Sequence, residues 1–276
     1  MPFVIPVFIS HEGCPHTCIF CNQHRISGRR AKDPVTPAEV QETISSWLQR
    51  KSGKRNHVQV AFYGGSFTGL PLPRQQELFN AVRPFRENGQ VQAIRLSTRP
   101  DYIQGNTVSF LLDHGVSIVE LGVQSFDNTV LKASHRGHTA EDICRAVDLL
   151  QQGGMRVGLQ LMLGLPKQTS CSLIQTVKET AALQPEFVRI YPVLILQGSK
   201  LEQLYRQGVY KPLSLDKAVL QAAWMKQYFD EKNIPVVRMG LQPGPELEKS
   251  LVAGPYHPAF GELVLARIMF NKTRKA

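Results

Sequence analysis

Apolar positions along this chain follow two periods in turn. Runs that are apolar throughout or at alternate positions occur at Phe3 to Ser10, Val58 to Phe62, Ala93 to Ser97, Ile118 to Val123, Val157 to Leu163 and Phe187 to Val193. This spacing predicts six buried strands. Between and after them, apolar residues recur every three or four positions at Thr36 to Leu48, Arg74 to Phe85, Thr107 to His114, Ala140 to Gln152, Leu173 to Leu183 and Leu215 to Glu231, which predicts helices. Thr36-Pro37 followed by Glu39 marks a helix start, because a threonine N-cap, a proline in the first turn and an early acidic residue each suit the open N–H groups of that end.

Strands alternating with helices imply a parallel sheet, since parallel neighbours need a crossover and the helix supplies it. The expected architecture is α/β, a partial (β/α)6 TIM-type barrel over residues 1–200, with a C-terminal helix and extension over 201–276 packing on it. The polar and glycine-rich signals sit after the strands: Gly64-Gly65-Ser66 after the second, Ser97 to Asp101 after the third, Gln124-Ser125 after the fourth and Gly164-Leu165-Pro166 after the fifth. Carboxyl ends of parallel strands are where α/β folds build their sites.

The first strand is followed by Cys14, Cys18 and Cys21 in a Cys-x3-Cys-x2-Cys run, in a chain with only two other cysteines, Cys144 and Cys171. Thiolates are soft ligands, suited to iron–sulfur clusters, zinc or Cu(I). Three of them fill three corners of a 4Fe-4S cubane and leave one iron open. A structural zinc site needs a fourth ligand, for which His11, His16 and His24 are candidates, and the spacing alone leaves both metals open. Glycines at 64 and 65 would let a ligand approach the backbone, although glycine pairs also serve ordinary turns.

Composition narrows the class. No run of 18 apolar residues exists, and the first ten residues lack the basic start and small-residue cleavage site of a signal peptide, so a soluble cytoplasmic protein with no membrane association is expected. Five cysteines, three of them clustered, do not match a secreted disulfide framework. Lysine and arginine number 32 against 22 acidic residues, a net +10 that favours an anionic partner. The basic residues gather at Arg25, Arg29, Arg30 and Lys32, at Arg50, Lys51, Lys54 and Arg55, and at Lys272, Arg274 and Lys275. No aromatic residues are interleaved there, so a solvated basic surface accounts for them as well as a nucleic-acid footprint does.

Taken together, CPHTCIFCNQ, FYGGSFTG, STRPD, GVQSFD, HRGHT, QLMLGLP, RIYPVLIL and GPYHPAFGELV resemble, in order, the radical S-adenosylmethionine (SAM) enzymes, and within them the radical core of the Elongator catalytic subunit and its bacterial relatives. The resemblance implies a 4Fe-4S cluster on Cys14, Cys18 and Cys21, SAM as second cofactor, and an electron donor such as flavodoxin or ferredoxin. It implies SAM contacts at Phe20 beside the adenine, Gly64, Gly65 and Ser66 around the methionine ammonium, Gln124 at the ribose, Arg136 at the carboxylate and Gln160 as a third polar contact. A guanidinium fork matches a carboxylate, which makes Arg136 the natural choice for that role. Ser66 and Ser97 depart from the pattern, standing where the resembling enzymes carry acidic residues.

Transfer RNA is the substrate that the Elongator resemblance implies. Those enzymes continue into an acetyltransferase domain, and 12 residues follow Val264, so that domain is not expected in this chain. The GVQSF and GLP segments are also similar to oxygen-independent coproporphyrinogen oxidase, which gives a haem-pathway or other small-molecule alternative. A non-catalytic zinc-bound RNA module is the reading from outside enzyme chemistry.

Overall fold

A computed structural model of the chain describes residues 2–15, 18–22, 25–26, 34–50 and 57–273. The elements in chain order are β1 (Phe3–Phe8), α1 (Pro37–Gln49), β2 (Val58–Tyr63), α2 (Leu72–Glu87), β3 (Ala93–Thr98), α3 (Gly105–Asp113), β4 (Val116–Gln124), α4 (Asn128–Ala133), α5 (Ala140–Gln152), β5 (Arg156–Leu163), α6 (Ser170–Ala182), β6 (Phe187–Pro192), β7 (Ile195–Leu196), α7 (Lys200–Arg206), α8 (Leu215–Glu231), β8 (Val236–Met239), α9 (Pro245–Ser250), β9 (Leu251–Ala253) and α10 (Phe260–Thr273).

The main sheet runs β1-β2-β3-β4-β5-β6-β8. The pairings β1–β2, β2–β3, β3–β4, β5–β6 and β6–β8 are all parallel. The fold is therefore α/β of the partial-barrel type. The six strands expected from periodicity are present, each with its limits shifted by at most two residues, and the sheet carries a seventh, β8. That strand has only four residues, of which Val237 is 53% exposed, so it lacks the buried apolar run that marks the others. Beside this sheet, β7 and β9 form an antiparallel pair.

By contact the chain divides into two compact units. The first comprises residues 1–15, 29–121 and 145–157. Its core is Ile5, Val60, Phe62 and Leu96 from the strands with Ile44, Leu78 and Val82 from the helices, all at 0% exposure. Phe67 packs between Phe62 and Phe79 with tilted rings at separations of 5.0 and 4.8 Å. The expected start of α1 is realised as a full capping box: Glu39 N donates to Thr36 Oγ1 at 3.2 Å and Thr36 N donates to the Glu39 carboxylate at 2.7 Å.

The second unit comprises residues 16–28, 122–144 and 158–276. Leu159, Leu161, Leu163, Val188 and Ile190 form its buried strand residues, with Val177, Ala222 and Phe229 on helices. A second buried cluster, Ile19, Val130, Leu165, Val193, Ile195, Leu201 and Tyr210, ties the segment around Ile19 to the loops after β5 and β6.

Candidate functional site

In the first unit, the loop from Ile9 to Cys14 is held against the turn after β2 by backbone contacts. Ile9 N donates to Tyr63 O at 2.8 Å, His11 N to Gly64 O at 2.9 Å and Ser66 N to Glu12 O at 2.9 Å. The glycines are explained by this approach. A Cβ on Gly65 would lie 2.4 Å from Glu12 O, one on Gly69 2.3 Å from Gly13 O, and one on Gly13 2.1 Å from Ser66 O. Gly64 and Gly13 also have φ of 89° and 72°, where L side chains are strained. The FYGGSFTG segment thus seats the loop that leads to Cys14.

Ser66 is fully buried, and its hydroxyl lies 3.0 Å from Thr98 Oγ1 and accepts from Arg99 N at 3.3 Å. That side chain joins β2 to the end of β3. Ser97 stands in register with Glu120, a carboxylate at 0% exposure that pairs with Arg95 at 2.7 Å and accepts from Tyr63 Oη at 2.8 Å. Arg95 also donates to Gln59 Oε1 at 3.1 Å. This buried network gives Glu120 and Tyr63 partners, and nothing in the residue pattern separates it from an ordinary strand.

In the second unit, Cys18 is 7% exposed and Arg136 is equally buried. Arg136 Nη1 donates to Cys18 Sγ at 3.1 Å, and Nη2 donates to Gly122 O. Its Nε is buried with no partner, a donor aimed into the interior without an acceptor. Cys21 N donates to Cys18 O at 2.9 Å, and Ile19 is pinned by Ser134 and Leu201 through its N and O. Phe20 packs its ring on the cluster around Ile19, so its side chain fills core.

Gln124 ends β4 with a φ of 68°, and Ser125 N bonds back to Val123 O at 2.9 Å, a γ-turn in the strained hand. Strain of this kind persists only where the surroundings hold it, and it collects at ligand sites. Gln160 is half-buried on β5, in register with Arg189 of β6. After β5, Tyr210 Oη donates to Gly164 O at 2.6 Å, and burial pushes its phenol far above the ordinary range.

Cys14 is exposed, Cys18 buried and Cys21 half-buried. Among the described residues no three His, Cys, Asp or Glu side chains are gathered closely enough to hold a metal ion. His16 and His24 lie outside the described residues, as do Arg29, Arg30, Lys32, Lys51, Lys54, Arg55, Arg274 and Lys275 of the basic clusters. The donor set nevertheless fits an iron–sulfur centre in kind: soft sulfur ligands, one of them already facing a buried cation with a spare N–H. No helix of the described residues is long and apolar enough to cross a membrane.

The chain also matches known proteins. The Radical SAM superfamily model matches residues 8–180, and the Radical_SAM C-terminal domain model matches 185–269. A tRNA uridine(34) acetyltransferase of Methanocaldococcus jannaschii is 26% identical over 84% of this chain and 51% of its own length. Human Elongator complex protein 3 is 23% identical, over 87% of this chain and 54% of its own. The chain therefore spans about half the length of these relatives. Among solved structures, the archaeal Elp3 of Methanocaldococcus infernus superposes with a TM-score of 0.75 at 23% identity, covering 98% of this chain and 63% of that one. Escherichia coli coproporphyrinogen III oxidase, a radical SAM enzyme, superposes with a TM-score of 0.60 at 22% identity, covering 84% of this chain and 53% of that one.

Proposed function

Because the chain belongs to the radical SAM superfamily and is an enzyme of that class, we propose that it binds a 4Fe-4S cluster through Cys14, Cys18 and Cys21 and uses it to cleave SAM in transfer RNA modification. A cluster held by Cys14, Cys18 and Cys21 would, when bound and reduced by a donor of the flavodoxin or ferredoxin class, supply one-electron chemistry for reductive cleavage of SAM. The observation that carries the site assignment is Cys18, buried and hydrogen-bonded by Arg136.

This chain's own residues have separable tasks. Cys18 is pre-set by Arg136, and Cys14 and Cys21 would complete the ligand set. Gln124 would offer its amide to the ribose, and Gln160 a third polar contact to SAM. Arg136 keeps Nε for the carboxylate while its two Nη atoms are engaged. Gly64 and Gly65 contribute backbone only, with Gly64 O already accepting from His11 and keeping its second lone pair. Ser66 has its hydroxyl committed to Thr98 and its N–H to Glu12 O, which leaves only its carbonyl for a contact.

Transfer RNA as substrate rests on the names of the relatives and on the +10 charge. Free thiols suit a reducing compartment, which supports the cytoplasm as the place of action. Binding of unmodified transfer RNA across a salt series tests the substrate. The affinity should fall log-linearly with salt concentration, and equal binding of a tetrapyrrole with no RNA binding would redirect the assignment to small-molecule chemistry.

A further inference from the structure

The cysteines lie in the segment between Glu12 and Val35, two residues 23 positions apart that are hydrogen-bonded to each other. We infer that Glu12 and Arg74 form a clasp that closes the base of this segment and sets how firmly it retains the metal. The inference rests on the cluster reading for its consequence, though not for its geometry.

Glu12 uses both carboxylate oxygens. Oε1 accepts from Val35 N at 3.2 Å, and Oε2 accepts from Arg74 Nε at 3.2 Å and Nη2 at 3.1 Å. Arg74 Nη2 also donates to Val35 O, so Val35 is gripped at N by the carboxylate and at O by the guanidinium. Glu77 accepts from Arg74 Nη1 at 2.6 Å and fixes the fork from below. Both members of the central pair are mostly buried, with side-chain exposures of 17% and 18%, so the interaction is worth more than a surface ion pair.

The two limbs of the segment are held differently. On the departing side the backbone is locked by Ser66 N to Glu12 O and by the tight approach of Gly13 to Ser66 and Gly69. On the returning side, the contacts of Val35 described above run through the Glu12 and Arg74 side chains, just before the capping box of α1 begins at Thr36. Opening the clasp therefore releases Val35, while Glu12 and Gly13 stay seated through their backbone. A lysine at position 74 keeps the charge but offers one nitrogen, which cannot span Glu12 and Val35 O as the fork does.

The test uses the full chain, reconstituted anaerobically with iron and sulfide, as wild type, E12Q, R74K and E12Q/R74K. Iron release to a ferrous chelator is followed with time, and amide hydrogen exchange over residues 12–22 and 34–36 is measured on the metal-free proteins. The clasp predicts iron release about tenfold faster in each single variant, the loss expected of one charge-assisted hydrogen bond network. It also predicts a double variant no more than about twice worse than either single, because both changes open one clasp. Exchange should rise over 34–36 and not over 12–14, in β2 or in α2. Wild-type release rates and exchange in both E12Q and R74K would overturn it, as would an R74K that behaves as wild type while E12Q does not, since charge alone would then suffice. If the wild type takes up no iron and sulfide, the cluster reading fails, and the exchange pattern of the metal-free variants alone decides whether the clasp exists.

Discussion

Arg136 donates from Nη1 to the Sγ of Cys18 across 3.1 Å, although 118 positions separate them in the chain. Hydrogen bonds to cluster sulfurs stabilise the more negative, reduced state and so raise the potential. Arg136→Gln should lower the midpoint potential of the reconstituted cluster by roughly 40 mV, about 1 kcal/mol for a one-electron couple. A titration followed by electron paramagnetic resonance checks this. An unchanged potential would place Arg136 at SAM alone.

Gly65→Ala puts a methyl group 2.4 Å from Glu12 O, which is backbone and cannot swing aside. The variant should lose about 3 kcal/mol of stability, in the range of overpacking against a fixed wall. Urea unfolding measures it. Gly89→Ala is the control: a Cβ there meets nothing within 4 Å, so its cost is confined to its φ of 75°.

Gln124→Gly separates stability from binding. Glycine relieves the left-handed φ of 68°, worth about 1 kcal/mol, so unfolding should shift to higher urea. Loss of the amide should weaken SAM binding by about tenfold, measured by equilibrium dialysis. Parallel losses in both would mean that the side chain holds the turn rather than the ligand.

Much of this molecule is legible in the sequence, for physical reasons. The buried strands announce themselves because both faces of a parallel sheet are covered, which makes Val58 to Phe62 or Val157 to Leu163 nearly continuous in apolar residues. Thr36 and Glu39 are legible because capping chemistry is local. β8 is not, being short and half-exposed, and neither are α4, α7, α9 and α10, whose positions depend on tertiary packing. The site divides the same way. Cysteine spacing marks Cys14, Cys18 and Cys21 as candidate ligands, and Gly65 shows as a glycine. Its reason, the close approach of Glu12 O, needs the fold. Ser66 reads as a ligand contact by position, whereas its hydroxyl is spent on Thr98. Glu12 and Arg74 carry no sequence signal, because what joins them is a contact across 62 positions.

The central claim is that the three cysteines hold a cluster that cleaves SAM. The most direct measurement is 5'-deoxyadenosine formed after anaerobic reconstitution, on addition of dithionite and SAM, in the wild type and in Cys18→Ala. The account predicts about four iron and four sulfide per chain and 5'-deoxyadenosine from the wild type only. Wild-type production no greater than that of Cys18→Ala, or one zinc per chain with no sulfide, would contradict it.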